Sequence, residues 1–313
     1  MSKQYAIEKS PLYRLRNRRK LAELLHLESK FFSVSHNFEY NEFEKSKPDG
    51  GTRYFAEPLY ELKRIQRQIH KLLQRIETPE WVKAGKKNES YVTNSSVHLH
   101  AKYMRTMDIS KFYDSVDCKY IYEMFSGKFR MEVDIARLMT KLVTHNKKLP
   151  TGSPSSQLII YWAYSDMFDE INVIAQYYNC TFSLYVDDMT FSSEQDIPYK
   201  MREEIAAVLK KYGLYAKRSK DHYYKPRDLK VATGCGIKNK RLVVLNHQRL
   251  KILDQYKKCK TTDDIKEIER LNGMLCSVRQ IEPDIFPSII NYLKMNEKRL
   301  IEYRRRQVRK RKK

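Results

Sequence analysis

Apolar residues recur at threes and fours over positions 59–76, where Leu59, Leu62, Ile65, Ile69, Leu72, Leu73 and Ile76 alternate with Lys63, Arg64, Arg67 and Lys71. That spacing gathers the apolar side chains on one stripe and predicts an amphipathic helix opened by Pro58. Upstream, residues 12–25 carry a basic helical pattern, and residues 36–53 are polar, with Pro48, Gly50 and Gly51 marking a turn.

The middle of the chain changes character. Residues 102–109 read as a strand ending at Asp108, shorter helical patterns cover 116–125 and 132–145, and Pro154 starts a long apolar helix to about residue 177. Two β-rich runs, 181–186 and 189–192, flank Asp187-Asp188, which predicts a hairpin with both acids at its tip. A further amphipathic helix over 198–212 is stopped by Gly213, short strands are predicted around Val231 and at 242–245, and from residue 247 the pattern is helical throughout. Strands and helices interleave only in the centre, so the expected class is α+β, a mixed core flanked by helical parts.

At 313 residues the chain has room for two domains or one enzyme-sized assembly, and its 41% hydrophobic and 12% aromatic residues supply a real core. There is no run of 18 apolar residues and no hydrophobic N-terminal stretch, so a cytoplasmic protein without a membrane partner is expected. The five cysteines are scattered without a CxxC pair, which argues against structural zinc or a disulfide framework. Charge narrows the field most. Sixty-one Lys and Arg against 38 Asp and Glu leave +23, an excess that fits a nucleic-acid partner. Eight of the last ten residues, RRRQVRKRKK, are basic, so Arg304, Arg305 and Arg306 are expected in a tail, 304–313, that lies on phosphates.

Adjacent acids on a tight hairpin repel one another unless a cation lies near them. Asp108 ends a different strand, and neighbouring strands of one sheet would bring it beside Asp187. Such an all-oxygen set, Asp108, Asp187 and Asp188, suits Mg²⁺, and two such ions would activate a hydroxyl nucleophile and stabilise a leaving pyrophosphate. A Y-x-D-D tetrapeptide alone is also ordinary turn chemistry. Its neighbours give it weight.

MDISKFYDS (107–115), LPTGSPSS (149–156), YVDD (185–188) and GLYAKRSK (213–220) stand in the order of four motifs of the reverse transcriptases, and residues 53–273 resemble a bacterial enzyme of the retron type. NSSVH (94–98) resembles the NAxxH element of that branch and ATG (232–234) its VTG element. Thr151, Ser153, Val186, Lys217 and Ala232 depart from the usual residues, and none of these changes removes a carboxylate.

The resemblance implies a right-hand polymerase: fingers with an N-terminal helical region over 1–100, a palm of antiparallel sheet and helices over 101–245, and a helical thumb over 246–303. It implies that Asp108, Asp187 and Asp188 bind two Mg²⁺ ions with the Ile109 carbonyl, that Arg53 and Lys47 grip the triphosphate, and that Tyr113 lies against the sugar and excludes a 2′-hydroxyl. Thr151 and Gly152 would lie near the nucleotide, Lys220 would assist pyrophosphate departure, and Asn94 and His98 would contact RNA. The implied partners are dNTPs, a cognate structured non-coding RNA as template and primer, its RNA-linked DNA product, and a separately encoded effector in anti-phage defence. The alternatives are a reverse transcriptase of another bacterial lineage, group II intron-like or a stand-alone defence polymerase, and a non-catalytic RNA-binding relative.

Overall fold

The structure is a computed structural model, and it describes residues 4–33, 38–46 and 51–310. In chain order its elements are α1 (Arg18–Leu24), β1 (Tyr40–Ser46), β2 (Thr52–Pro58), α2 (Tyr60–Leu73), α3 (Tyr91–Ser96), β3 (Tyr103–Asp108), α4 (Phe112–Ser115), α5 (Cys118–Glu123) and α6 (Val133–Val143). There follow α7 (Ser156–Ala163), α8 (Ser165–Tyr177), β4 (Thr181–Tyr185), β5 (Asp188–Ser193), α9 (Tyr199–Lys211), β6 (His222–Tyr224), β7 (Lys230–Ala232), β8 (Cys235–Lys238) and β9 (Arg241–Val243). The last helices are α10 (Asn246–Thr262), α11 (Ile265–Arg279), α12 (Pro287–Met295) and α13 (Glu297–Lys310). No helix among the described residues is long and apolar enough to cross a membrane.

The chain forms two compact units, Met1–Ser90 with Lys102–Lys225, and Tyr91–Ala101 with Pro226–Lys313. In the first unit a four-stranded antiparallel sheet, ordered β4-β5-β3-β6, packs with α2 and α5–α9 around one apolar core. The apolar stripe predicted for α2 is there: Leu62, Ile65, Ile69, Leu72 and Leu73 are buried, and the buried Gln66 amide donates to the Leu142 carbonyl of α6 at 2.9 Å. That bond satisfies the amide nitrogen, whereas its Oε1 is buried without a hydrogen-bond partner.

Two elements differ from the sequence pattern. Residues 40–46 and 52–58 form an antiparallel pair, with Tyr40 opposite Pro58 and Ser46 opposite Thr52. Most of β1 is exposed, so no apolar alternation announces it. Lys47, Pro48 and Gly50 lie outside the described residues. The single helix expected from Pro154 to about 177 is two, broken at Tyr164, whose backbone leaves helical geometry at φ −115° and whose buried ring packs 4.8 Å from that of Tyr120.

The second unit joins a three-stranded sheet, β7-β8-β9, to the helices α3 and α10–α13, with its own core of Ile252, Ile268, Leu271, Ile289 and their neighbours. Here the NSSVH and ATG segments meet. Thr233 Oγ1 accepts from Asn94 Nδ2 at 3.2 Å, lies 2.9 Å from Ser95 Oγ, and is 3.0 Å from the Tyr91 carbonyl. Asn94, expected to contact RNA, is a buried part of this joint at 0% exposed, and His98, expected beside it, is 1% exposed. Burial pushes the His98 pKa down to about 3, so the ring is neutral and is no phosphate cation.

The basic tail is also corrected. Residues up to 310 continue α13, and Arg304 makes a two-pronged ion pair with Glu269 of α11, at 2.9 and 2.7 Å, while Arg306 pairs with Glu302 one turn back. Arg305 is exposed. A guanidinium fork matched to a carboxylate orders a segment that charge alone would leave in solvent. Residues 311–313 lie outside the described residues.

Thr233 has a positive φ of 43°, which valine would share, so Thr233→Val isolates the lost hydroxyl. It should cost about 1–3 kcal/mol of unfolding free energy by stranding the Asn94 amide nitrogen, while the Ser95 hydroxyl keeps the Tyr91 and Ala232 carbonyls. Urea unfolding of the full chain measures this, and an unchanged midpoint would contradict the role given to the joint.

Candidate active site

The site is built where β3 and β5 end. Their register pairs Tyr103 with Ser193 and runs without slip to Asp108 opposite Asp188. Beyond the ladder, the Ile109 N–H donates to the Asp187 carbonyl at 3.2 Å, which ties the end of β3 to the β4–β5 turn. Asp108 and the adjacent pair Asp187 and Asp188, far apart in sequence, thus share one end of the sheet. Asp188 is the first residue of β5 and pairs with Tyr185, so the two-residue tip is Val186-Asp187, one position earlier than the expected Asp187-Asp188. Val186 takes a positive φ of 61°, and a β-branched residue there stores about 1–3 kcal/mol of strain. That conformation is what lets consecutive acids leave the turn toward Asp108.

The electrostatics follow from the crowding. Asp108 is 4% exposed. Burial, then the Asp108 charge, raises the Asp187 pKa. Burial, then the neighbouring Asp187, pushes Asp188 up to about 7, and a hydrogen bond to Asp108 acts in the same direction. Lys220 pairs with Asp108 Oδ2. Burial works against its ammonium, yet the bond to Asp108 and the charges of Asp188 and Asp187 outweigh that and hold its pKa above the ordinary lysine value. Lys220 is placed by backbone contacts, because the Lys217 N–H donates to the Asp108 carbonyl at 2.8 Å and the Ser110 N–H to the Tyr215 carbonyl at 2.8 Å.

Beside the carboxylates opens a cavity of about 550 Å³, lined by Arg53, Tyr113, Thr151, Gly152 and Tyr185 and by His70 and Lys86 on its far wall. The structure therefore gathers the expected Arg53, Tyr113, Thr151 and Gly152 around one space. Burial, then Asp187, raises the Tyr113 pKa, so its hydroxyl stays neutral. Gly152 sits at φ 132°, and a Cβ there would come 3.2 Å from the Ala56 carbonyl of β2, so only glycine lets the loop approach that strand. His70, Gln74 and Lys86 were not legible as cavity residues, since their helix and loop read as ordinary amphipathic and polar stretches.

Among the described residues no group of three His, Cys, Asp or Glu side chains is arranged to hold a metal ion. The chemistry of the donors still fits a divalent cation: three carboxylates crowd together, two with raised pKa, and a lysine ammonium already satisfies one of them. An open, all-oxygen set that leaves coordination positions to water and substrate is the arrangement Mg²⁺ takes.

Residues 45–233, more than half of the chain, match the family described as reverse transcriptase (RNA-dependent DNA polymerase). The chain is a reverse transcriptase. Its α+β fold is that of a polymerase, and the family is one of RNA-dependent DNA synthesis with divalent metal. Curated relatives include the retron Se72 reverse transcriptase of Salmonella heidelberg, 26% identical over 56% of this chain and 47% of that protein, and the retron Ec86 reverse transcriptase of Escherichia coli, 23% identical over 82% of this chain and 80% of that protein. These relatives are themselves reverse transcriptases of bacterial retrons. The chain spans about half the length of the Se72 relative. Among solved structures, a foamy viral protease-reverse transcriptase in complex with double-stranded DNA is similar at 15% identity and a TM-score of 0.44, over 89% of this chain and 42% of that one.

The raised Asp188 pKa has a pH consequence. In metal-free protein the folded state holds more protons than the unfolded chain between about pH 4 and pH 7, so stability falls as pH rises through that window, by at most about 1.4 kcal/mol per pH unit. Asp188→Asn should flatten that slope, measured by urea unfolding in EDTA. Parallel curves for the two proteins would contradict the crowding of these carboxylates.

Proposed function

We propose that this reverse transcriptase copies part of a cognate structured non-coding RNA into single-stranded DNA, starting from a 2′-hydroxyl of that RNA, so that the product stays joined to it. The observation that carries the catalytic part is the register that sets Asp108 opposite Asp188, with Asp187 at the adjoining turn. The RNA partner and the priming step rest on the retron relatives and on the motif pattern. In keeping with that pattern, the DNA product acts with a separately encoded effector in anti-phage defence, and the enzyme works in the cytoplasm, where its RNA is transcribed. Fingers and palm, apart from residues 91–101 and 226–245, belong to the first unit, and the thumb to the second.

Asp108, Asp187 and Asp188, with the Ile109 carbonyl, would hold two Mg²⁺ ions. When bound, such ions supply a lowered hydroxyl pKa on the attacking side and charge neutralisation on the leaving side. The chain's own side chains bind and orient the rest. Arg53 projects from β2 into the cavity, where its fork suits the triphosphate of an incoming dNTP. Lys47 would assist it. Tyr113 walls the space where the sugar sits and selects deoxynucleotides by steric conflict. Thr151 and the close backbone of Gly152 support the nucleotide. The primer hydroxyl oxygen bonds to the α-phosphorus as the bridging bond to the β-phosphate breaks. Lys220, kept protonated beside Asp108, gives its proton to the departing pyrophosphate, while the hydroxyl proton leaves to water. Arg305, exposed on α13, contacts RNA phosphates, with Arg304 and Arg306 held beside it by their glutamates.

The test is dTTP incorporation on poly(rA) with an oligo(dT) primer. Asp187→Asn should slow it by about a thousandfold, the effect of losing roughly 4 kcal/mol of transition-state stabilisation, while RNA affinity is retained. A mutant that still polymerises would refute the assignment. Tyr113→Ala should admit ribonucleotides, and unchanged discrimination would place the steric gate elsewhere. Sequencing the RNA that copurifies tests the retron part: one defined RNA bearing covalently attached DNA is expected, and a random mixture would exclude it.

A further inference from the structure

Outside the carboxylate cluster, the most heavily desolvated charged assembly of the first unit centres on Asp221. Its Oδ1 accepts from Arg105 Nη1 at 2.6 Å and its Oδ2 from Arg202 Nε at 2.8 Å. The side chains of Arg105 and Asp221 are only 8% and 11% exposed. The Arg105 guanidinium also lies 5.1 Å from the ring centre of Tyr223 and 5.8 Å from that of Tyr199, and Arg202 lies 5.8 Å from Tyr199. Two guanidiniums on one carboxylate leave a local excess of positive charge, which the faces of these rings offset.

Stability alone is a poor reason for such a group. Buried ion pairs are commonly matched or bettered by apolar side chains of similar size, and the Arg105 Nε is buried here without a hydrogen-bond partner. Its location supplies a better reason. Arg105 is on β3, three residues before Asp108, and Asp221 immediately follows Lys220. The 217–221 segment is held to β3 at both ends, by the Lys217 N–H on the Asp108 carbonyl and by the Asp221 carboxylate on Arg105. Between those anchors the Arg218–Lys220 turn is closed by the Lys220 N–H on the Lys217 carbonyl at 3.0 Å and by the Asp221 N–H on that of Arg218 at 3.3 Å. Besides its pairing with Asp108, a lysine whose side chain is 49% exposed is aimed by fixing the backbone from which its flexible stem starts.

We infer that Asp221 is a positioning residue, and that its clamp by Arg105 of β3 and Arg202 of α9 sets where Lys220 presents its ammonium to Asp108 and to the departing pyrophosphate. The inference rests on Lys220 as the proton donor proposed above. Arg202 gives the clamp a second arm from a different element, so that the turn is fixed in direction as well as in distance. Substituting Asp221 removes the side-chain anchor of the turn, leaving the β3–β6 ladder that begins at His222, without touching any group that meets the nucleotide.

The experiment is single-nucleotide incorporation on an annealed primer–template, with rate constant and dNTP affinity measured separately for wild type, K220Q, D221N, R202Q and the K220Q/D221N double variant. D221N should lower the rate constant about tenfold or more with dNTP affinity within about twofold, and the double variant should be little slower than K220Q alone, the pattern of two residues acting through one step. R202Q, which leaves Arg105 paired, should show a smaller loss in the same direction, and it decides the matter should D221N not fold. A K220Q enzyme at the wild-type rate would defeat the Lys220 assignment itself. A slow K220Q whose loss multiplies with that of D221N, or a D221N loss confined to dNTP affinity, would overturn the positioning role alone.

Discussion

Like charges placed opposite one another in a β-ladder repel, and in this reverse transcriptase the ladder joining β3 to β5 ends on such a pair, Asp108 and Asp188, with Asp187 on the adjoining turn. Much of the first unit serves to hold that arrangement. The register leaves no slip between Tyr103 and Asp108, Val186 accepts a strained backbone at the tip, and Met107 and Met189 anchor the strands in the core on either side. Burial first, and then the repulsion, raises the pKa values of Asp187 and Asp188, and a lysine is drawn onto Asp108. A partly buried cluster that resists its own ionisation in this way gains most from a divalent cation.

The positive charge of the chain has two fates. Some of it is neutralised internally, as when Arg105 and Arg202 close on Asp221, Arg249 on Glu282, and Arg304 on Glu269. These pairs order segments, and they do not add to a phosphate-binding surface. The remaining excess of +23 over the whole chain is left for polyanions, which gives binding a steep dependence on salt. A high count of basic residues therefore predicts the class of partner, whereas only the pairing pattern tells which arginines are already engaged.

What the sequence made legible follows from which forces act locally. The α2 stripe and the paired β-rich runs around the acids come from near-neighbour periodicity, so the helix and the catalytic hairpin were readable, the latter to within one residue. The β1–β2 pair was not, because β1 has almost no apolar face. The break at Tyr164 depends on rings from other elements, and the placement of Asn94 depends on a segment some 140 positions later, reached through Thr233. Three site carboxylates could be named from the chain alone; Asp221 could not, since a single acid after a lysine gives no sign of the two arginines that converge on it.

The central claim is that Asp108 and Asp187, brought together by the sheet, jointly bind the divalent cations of catalysis. Mn²⁺ titration followed by electron paramagnetic resonance, on enzyme carrying a chain-terminated primer–template and a nonhydrolysable dNTP, reads this directly. The account predicts tight sites in the wild type and a loss of at least about a hundredfold in affinity, roughly 2.7 kcal/mol, in both Asp108→Asn and Asp187→Asn. Undiminished Mn²⁺ affinity in either variant would contradict it.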